Sequence, residues 1–438
     1  MHEMYCTIGQ HFPELFDWMR EVDDCRKKAS TYELAAHMTA CLAMFLFKSG
    51  SRNQYNQYRE DIQFKTNYQR LFGFKMPHGD SVQNVMDLLD IFQIEQLKQK
   101  MIQVLIQRKT FHSSRYRGHW FRVAVDASGM GSYDHQRDEQ CLQRTSKNGK
   151  TTYFHSVLEA RLITPNGFSI SIATEWIENP ENGDYNKQDC ERKGFIRLAA
   201  KLKKAYPRLP MLILADGLYP YEGFFALCKA NQWSYCVTFK NGNLTSVWEE
   251  VMELQLLQSK NTRLEICYRP DGKIVEQAFQ WVTGVDYKSH RLNWLECIET
   301  IKPTKTEEPD EKLKITRFVH ITDLAINISN IVDTSRTGRL RWKIENEGFN
   351  GGYGMEHQYA RKSYCALKNY FQFMQMAHLI HQLMTLTTRF REDFMKSKNH
   401  PTLKNLWIDL IFAMQGFELN EQELAHINST RRQFRFAT

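Results

Sequence analysis

The sequence predicts an α/β protein, α+β overall, in which a helical N-terminal part precedes a mixed sheet of strands alternating with helices. Three observations predict it. Two short apolar runs each end on an aspartate, Val123-Ala-Val-Asp126 and Leu212-Ile-Leu-Ala-Asp216, the pattern of buried strands that deliver a carboxylate to a sheet edge, where α/β proteins bind ligands. Around them apolar periodicity alternates between strand and helix, while residues 10–112 carry helical periodicity alone. A chain of 438 residues that is 42% hydrophobic and 25% charged can bury a sizeable core, and its length suggests two or three domains.

In the helical part, Ser30-Thr-Tyr-Glu33 reads as a capping box opening a helix at Leu34, because the serine oxygen and the glutamate carboxylate can each take an orphan amide. Asp80-Ser81 is expected to cap a second helix over residues 82–109, with Val85, Leu89, Leu97, Met101 and Leu105 at broadly helical spacing. From Phe121 the texture changes. Residues 121–127 read as a fully buried strand, and residues 153–164 and 168–176 as a hairpin across Pro165-Asn166-Gly167. An amphipathic helix over 190–206, stopped by Pro207 and Pro210, leads to the Asp216 strand, a helix over 221–231 and a strand over 234–240. This order, β, β-hairpin, α, β, α, β, fits a ribonuclease H-like mixed sheet, in which a meander is followed by right-handed crossovers.

The alternation breaks over residues 243–325, where segments 264–268, 275–285, 292–299 and 315–324 read as strands of a β-rich insertion. Helices resume near Ile326, and residues 355–394 read mostly as one long helix. The organisation expected is a helical N-terminal domain over 1–112, the first part of the core over 113–242, the insertion over 243–325, and completion of the core with a helical C-terminal region over 326–438.

The formal charge of +8 is a moderate lean toward a polyanionic partner. Between Gln96 and Asp126 seven bases and no acid occur, Lys98, Lys100, Arg108, Lys109, Arg115, Arg117 and Arg122, interleaved with Phe111, Tyr116, Trp120 and Phe121. That segment fits a solvated helix end or a track for phosphates equally well. Ten scattered cysteines without a CxxC pair or a Cys/His cluster at zinc spacing indicate reduced thiols. The longest apolar stretch, residues 34–47, carries His37 and Thr39 and falls short of the roughly 20 residues that span a bilayer. With no secretory pattern at the start of the chain, the expectation is a cytoplasmic protein with no membrane partner.

Asp126 and Asp216, 90 residues apart, are candidate metal ligands. Phosphodiester chemistry needs an attacking oxygen made nucleophilic and a leaving oxygen stabilised, and two Mg²⁺ ions roughly 3.5–4 Å apart do both. Carboxylates suit Mg²⁺, a hard ion that keeps positions free for water and phosphate. A third carboxylate is sought in Arg341-Trp-Lys-Ile-Glu345, where Arg341 and Glu345 stand at i and i+4 on one helical face. Glu347 competes for the role, and the residues alone do not choose. Arg336, Arg339, Arg341 and Lys343 would supply cations where a DNA backbone approaches. His155, His320 and His357 read as packing or surface histidines.

On the Asp126 strand, the Ala215-Asp216-Gly-Leu-Tyr219 strand end and Arg341-Trp-Lys-Ile-Glu345-Asn-Glu-Gly-Phe349, the chain resembles DDE transposases of the insertion-sequence-four type over residues 120–380. The resemblance implies a ribonuclease H-like core with a β insertion, and Glu345 rather than Glu347 as the third carboxylate. It further implies Mg²⁺, with Mn²⁺ able to substitute, bound by Asp126, Asp216 and Glu345. Partners would be double-stranded DNA at element ends and target, engaged by a homodimer with the N-terminal helices recognising the ends. Arg341, Arg339, Lys343, Arg115 and Arg117 would contact DNA. Trp281 and Trp294 on the insertion would stack on an extruded base, although aromatic packing in a small sheet fits them too. The family signature, Tyr, two residues, Arg, three residues, Glu, six residues, Lys, is met by Arg341 and Glu345 but has Gly338 and Gly352 at its ends. Two rivals follow: a ribonuclease H-like nuclease without strand transfer, and a DNA-binding remnant without catalysis.

Overall fold

A computed structural model describes residues 1–28, 30–179, 187–269, 272–302, 313–349, 363–397, 402–420, 422, 424–425 and 434–436. The N-terminal layer holds α1 (His2–His11), α2 (Leu15–Arg20), α3 (Leu34–Leu46), α4 (Arg52–Glu60), α5 (Ile62–Phe72), α6 (Gly79–Met86) and α7 (Ile91–Gln107). The expected capping box does not form. Glu33 occupies the cap of α3 without a side-chain bond, because its carboxylate lies 3.4 Å from Arg20 Nε, while the Ser30 hydroxyl faces the Tyr32 amide. The single helix expected over 82–109 is two helices. His78 caps α6, and Asp90 restarts the chain as α7 by accepting the Phe92 amide at 2.9 Å.

Ten strands form one mixed sheet among the described residues: β1 (Phe121–Tyr133), β2 (Leu142–Thr145), β3 (Thr151–Ile163), β4 (Ser169–Ile177), β5 (Met211–Ala215), β6 (Ser234–Thr238), β7 (Thr262–Tyr268), β8 (Ile274–Tyr287), β9 (His290–Lys302) and β10 (Lys314–Thr322). Between them lie α8 (Lys187–Ala205), α9 (Glu222–Asn231) and α10 (Thr245–Leu257), the last of which falls in the stretch read as β-rich. The order is β2-β3-β1-β5-β6-β10-β9-β8-β7, with β4 also paired to β3. β1 is antiparallel to β3 and parallel to β5, and β5 is parallel to β6. The β-rich segment is therefore an extension of the same sheet: β10 pairs antiparallel with β6, His320 opposite Thr238.

After β10 come α11 (Ile331–Arg339), a 3₁₀ turn (Leu340–Trp342), a π-helical turn (Ile344–Phe349), α12 (Tyr364–Thr385), α13 (Thr388–Ser397) and α14 (Leu403–Gly416). Alternate residues of the central strands face opposite layers, as the strand period requires. Val123, Val125, Ile213 and Ala215 join the core built by α8 and the helical layers, whereas Ala124, Leu212, Leu214 and Cys236 are covered by Ile344 and Phe349. Residues of the N-terminal helices and of the C-terminal ones belong to one buried core. Buried Asn369 on α12 donates to the carbonyls of Met86 and Leu89, each at 2.9 Å, and Asn67 on α5 donates to Met414 and Phe417. A polar network crosses this core. Arg161, fully buried, donates to Gln375 and the Ser169 carbonyl, and Lys98 donates to Ser171 and Thr174. Among the described residues no helix is long and apolar enough to cross a membrane.

Candidate active site

The parallel pairing of β1 and β5 runs from Phe121 opposite Met211 to Ala124 opposite Leu214, an offset of 90 residues. Pairing stops there, and Asp216 follows one residue past the end of β5, near enough for its charge to act on Asp126. Asp126 remains within β1, opposite Glu159 of β3, and its Oδ1 accepts the Ala127 amide at 3.1 Å. Asp216 stands where β5 stops, and its Oδ1 accepts the Leu218 amide at 2.8 Å, closing a tight turn. The Lys240 side chain lies over Gly217 in that turn, where a Cβ would come 2.7 Å from its Cδ and push it aside. The Lys240 Nζ reaches to 3.7 Å from Asp216 Oδ2.

The third group comes from the chain after α11. There the helix tightens into the 3₁₀ turn and then loosens into the π turn, a departure from α geometry that recurs at functional sites. Arg341 Nη1 donates to Asp126 Oδ2 at 2.9 Å, its guanidinium lies 4.7 Å from the centre of the Trp342 ring, and its Nε is buried without a hydrogen-bond partner. Glu347 is taken by Lys343 at 2.7 Å. Glu345 instead acts on Asp126. Burial pushes the Asp126 carboxyl up to about 6; Arg341 opposes that shift, while Asp216 and Glu345 both add to it. Asp216 and Glu345 thus both repel the Asp126 carboxylate.

The three carboxylates are not closed around a single point. The oxygens of Asp126, Asp216 and Glu345 do not all fall within the 4.8 Å that groups ligands around one ion. Two ions bridged by carboxylates need a wider ligand set, since outer oxygens can stand roughly 8 Å apart across such a pair. The donor set is all oxygen, the type that a hard ion such as Mg²⁺ accepts, and burial holds the Asp126 carboxyl above its ordinary range against the opposing Arg341.

Other residues singled out by sequence take structural places. Trp294 is 1% exposed and packs edge-on against Trp248, and Trp281 is 4% exposed in a small core with Phe279 and Ile331. Neither presents a face to a base, which corrects the stacking expectation. Arg339 pairs with Glu299 at 2.8 Å and stacks on Phe318; Arg117 donates to Thr334; Arg115 donates to the His112 carbonyl. The basic run from Lys98 to Arg122 is largely committed in the same way, Lys100 to Glu21 and Arg108 to the Gln10 carbonyl. Arg341 and Lys240 remain at the carboxylates themselves, and Lys240 had no sequence signal beyond standing two residues past the end of β6. Gly338, at the family's tyrosine position, is fixed by packing: a Cβ would lie 2.6 Å from the His320 ring. Gly352 and His357 lie outside the described residues. A second cluster was not foreseen. His155 Nε2 lies 3.6 Å from Cys141 Sγ and 3.2 Å from Asp138 Oδ2. Comparison with family models and with curated proteins gives no match to this chain.

Proposed function

We propose that the protein is a metal-dependent DNA strand-cleaving and strand-transferring enzyme, a transposase of insertion-sequence type on a ribonuclease H-like core. The observation that carries the reading is the parallel pairing of β1 with β5, which brings Asp216, just past the end of β5, near enough for its charge to bear on Asp126, as the charge of Glu345 does from the π turn. The strand order β4-β3-β1-β5-β6, an antiparallel meander followed by two parallel strands, supports the core assignment.

When bound, Mg²⁺ at the three carboxylates would supply an activated water and a stabilised leaving oxygen. The residues of the chain do the rest. Arg341 holds the Asp126 carboxylate by one Nη and keeps further donors in the site for a phosphate oxygen. Lys240 offsets the charge of Asp216 from the solvent side. The strand-end turn fixes Asp216, so that only Glu345, on the loosened turn, has far to move. A homodimer bridging two DNA ends follows from the family resemblance.

The test uses plasmid DNA carrying the sequences that flank the gene, incubated with Mg²⁺. Joined products support the transposase. The absence of a tyrosine at Gly338 favours, as the second reading, a nuclease without strand transfer, for which nicked products alone would appear. Normal DNA binding by the parent and by Asp126→Ala, with no cleavage by either, would leave only a binding remnant.

A further inference from the structure

The cluster of Asp138, Cys141 and His155 lies apart from the carboxylates. On β1 and β3, His155 stands opposite Met130 and Glu159 opposite Asp126, so the two sites are separated by four strand residues, about 13 Å. Asp138 and Cys141 sit three residues apart in a turn closed by the Cys141 amide on the Asp138 carbonyl at 3.3 Å, and His155 reaches them from β3. Their ligand atoms all lie within 4.8 Å of one another, the tightest such grouping of three among the described residues.

Two chemistries use these residue types. In a nucleophilic relay the carboxylate would hold Nδ1 of the histidine and the thiol would face Nε2. Here the thiol and the carboxylate both converge on Nε2, which suits ligands gathered around one point and not a relay. Asp138 Oδ1 is buried with no hydrogen-bond partner, an oxygen that a cation would satisfy. The His155 ring is locked by stacking on Tyr364 at 4.3 Å between ring centres. Cys141 and His155 are each 2% exposed.

We propose that Asp138, Cys141 and His155 form a separate metal site that takes one ion of the zinc class. A thiolate, an imidazole and a carboxylate are the donors such a borderline ion prefers, with a fourth position left for water. Mg²⁺ is a poor fit because sulfur and nitrogen are soft for it. Binding releases the Cys141 thiol proton to solvent, and His155 ligates through Nε2 as the neutral tautomer that carries its one proton on Nδ1. The ion ties residues 134–141 to β3 and so fastens the base of the arm that carries exposed Arg144, Lys147 and Lys150.

The test titrates Co²⁺ into the full chain after chelation. One equivalent should give a thiolate-to-cobalt charge-transfer band that Zn²⁺ abolishes and excess Mg²⁺ does not. Cys141→Ser should lose the band, Asp138→Asn should weaken binding about tenfold or more, and Asp126→Asn should leave it unchanged, separating this site from the carboxylates. No band, or a band that survives in Cys141→Ser, overturns the proposal. X-ray absorption of the zinc-loaded parent decides the case without any variant: one sulfur ligand supports the site, and none or several contradict it.

Discussion

Asp126 is the residue on which the site's energetics turn. Its folded carboxyl is raised from 3.8 to about 6, so the stability it contributes is present below its ordinary value and is lost as pH rises through about 6. Above that pH the ionised group disfavours the fold by up to about 3 kcal/mol. Asp126→Asn should therefore unfold at a higher temperature than the parent at pH 8 in chelator, by about 1–3 kcal/mol of stability, with the gap closing at pH 4; thermal melts at the two pH values check it. Arg341→Ala strips the buried carboxylate of its partner. Mg²⁺-dependent nicking should fall by about a hundredfold or more, with partial recovery in Arg341→Lys, read as single-turnover rates. Asp216 was legible as a strand end because an apolar run ending on Asp states both strand and strand end; Asp126 was expected at such an end too, but β1 runs on to Tyr133 and Asp126 lies within it. Lys240, Asp138 and Cys141 were not legible, since each becomes a neighbour of its partner only through strand register or a turn.

At the scale of elements, the passage from α11 through the 3₁₀ and π turns decides which carboxylate enters the site. Read as one regular helix, the sequence pairs Arg341 with Glu345 at i and i+4. The altered winding instead gives Asp126 to Arg341 and leaves Glu347 to Lys343. Periodicity arguments assume 3.6 residues per turn and have no means of seeing this change. Gly338 ties α11 to the sheet through its close approach to His320. Gly338→Ala should lower stability by about 1–3 kcal/mol, read from denaturant midpoints, and restoring a tyrosine there should not restore strand transfer. The split between α6 and α7 was missed for a related reason. The apolar spacing runs on across Leu88 and Leu89, while the break is set by Asp90 as a cap.

The whole molecule is tied together across sequence by α12, whose polar residues reach into both helical layers and the sheet. Asn369→Ala leaves the Met86 and Leu89 carbonyls without their donor; it should lower stability by about 1–3 kcal/mol while unfolding stays a single transition. A fragment of residues 113–438 should fail to fold alone. The boundary at residue 112 looked natural in sequence because the composition changes there, yet a core joined by residues hundreds apart leaves no local trace. What this shared core carries is Asp126 within β1 and Asp216 just past β5, with the π turn of residues 344–349 beside them. The most direct measurement is anomalous diffraction from crystals soaked in Mn²⁺. The account predicts a peak between Asp126 and Asp216 with Glu345 drawn toward it; no peak there, with Arg341 and Lys240 still holding the two aspartates, would contradict it.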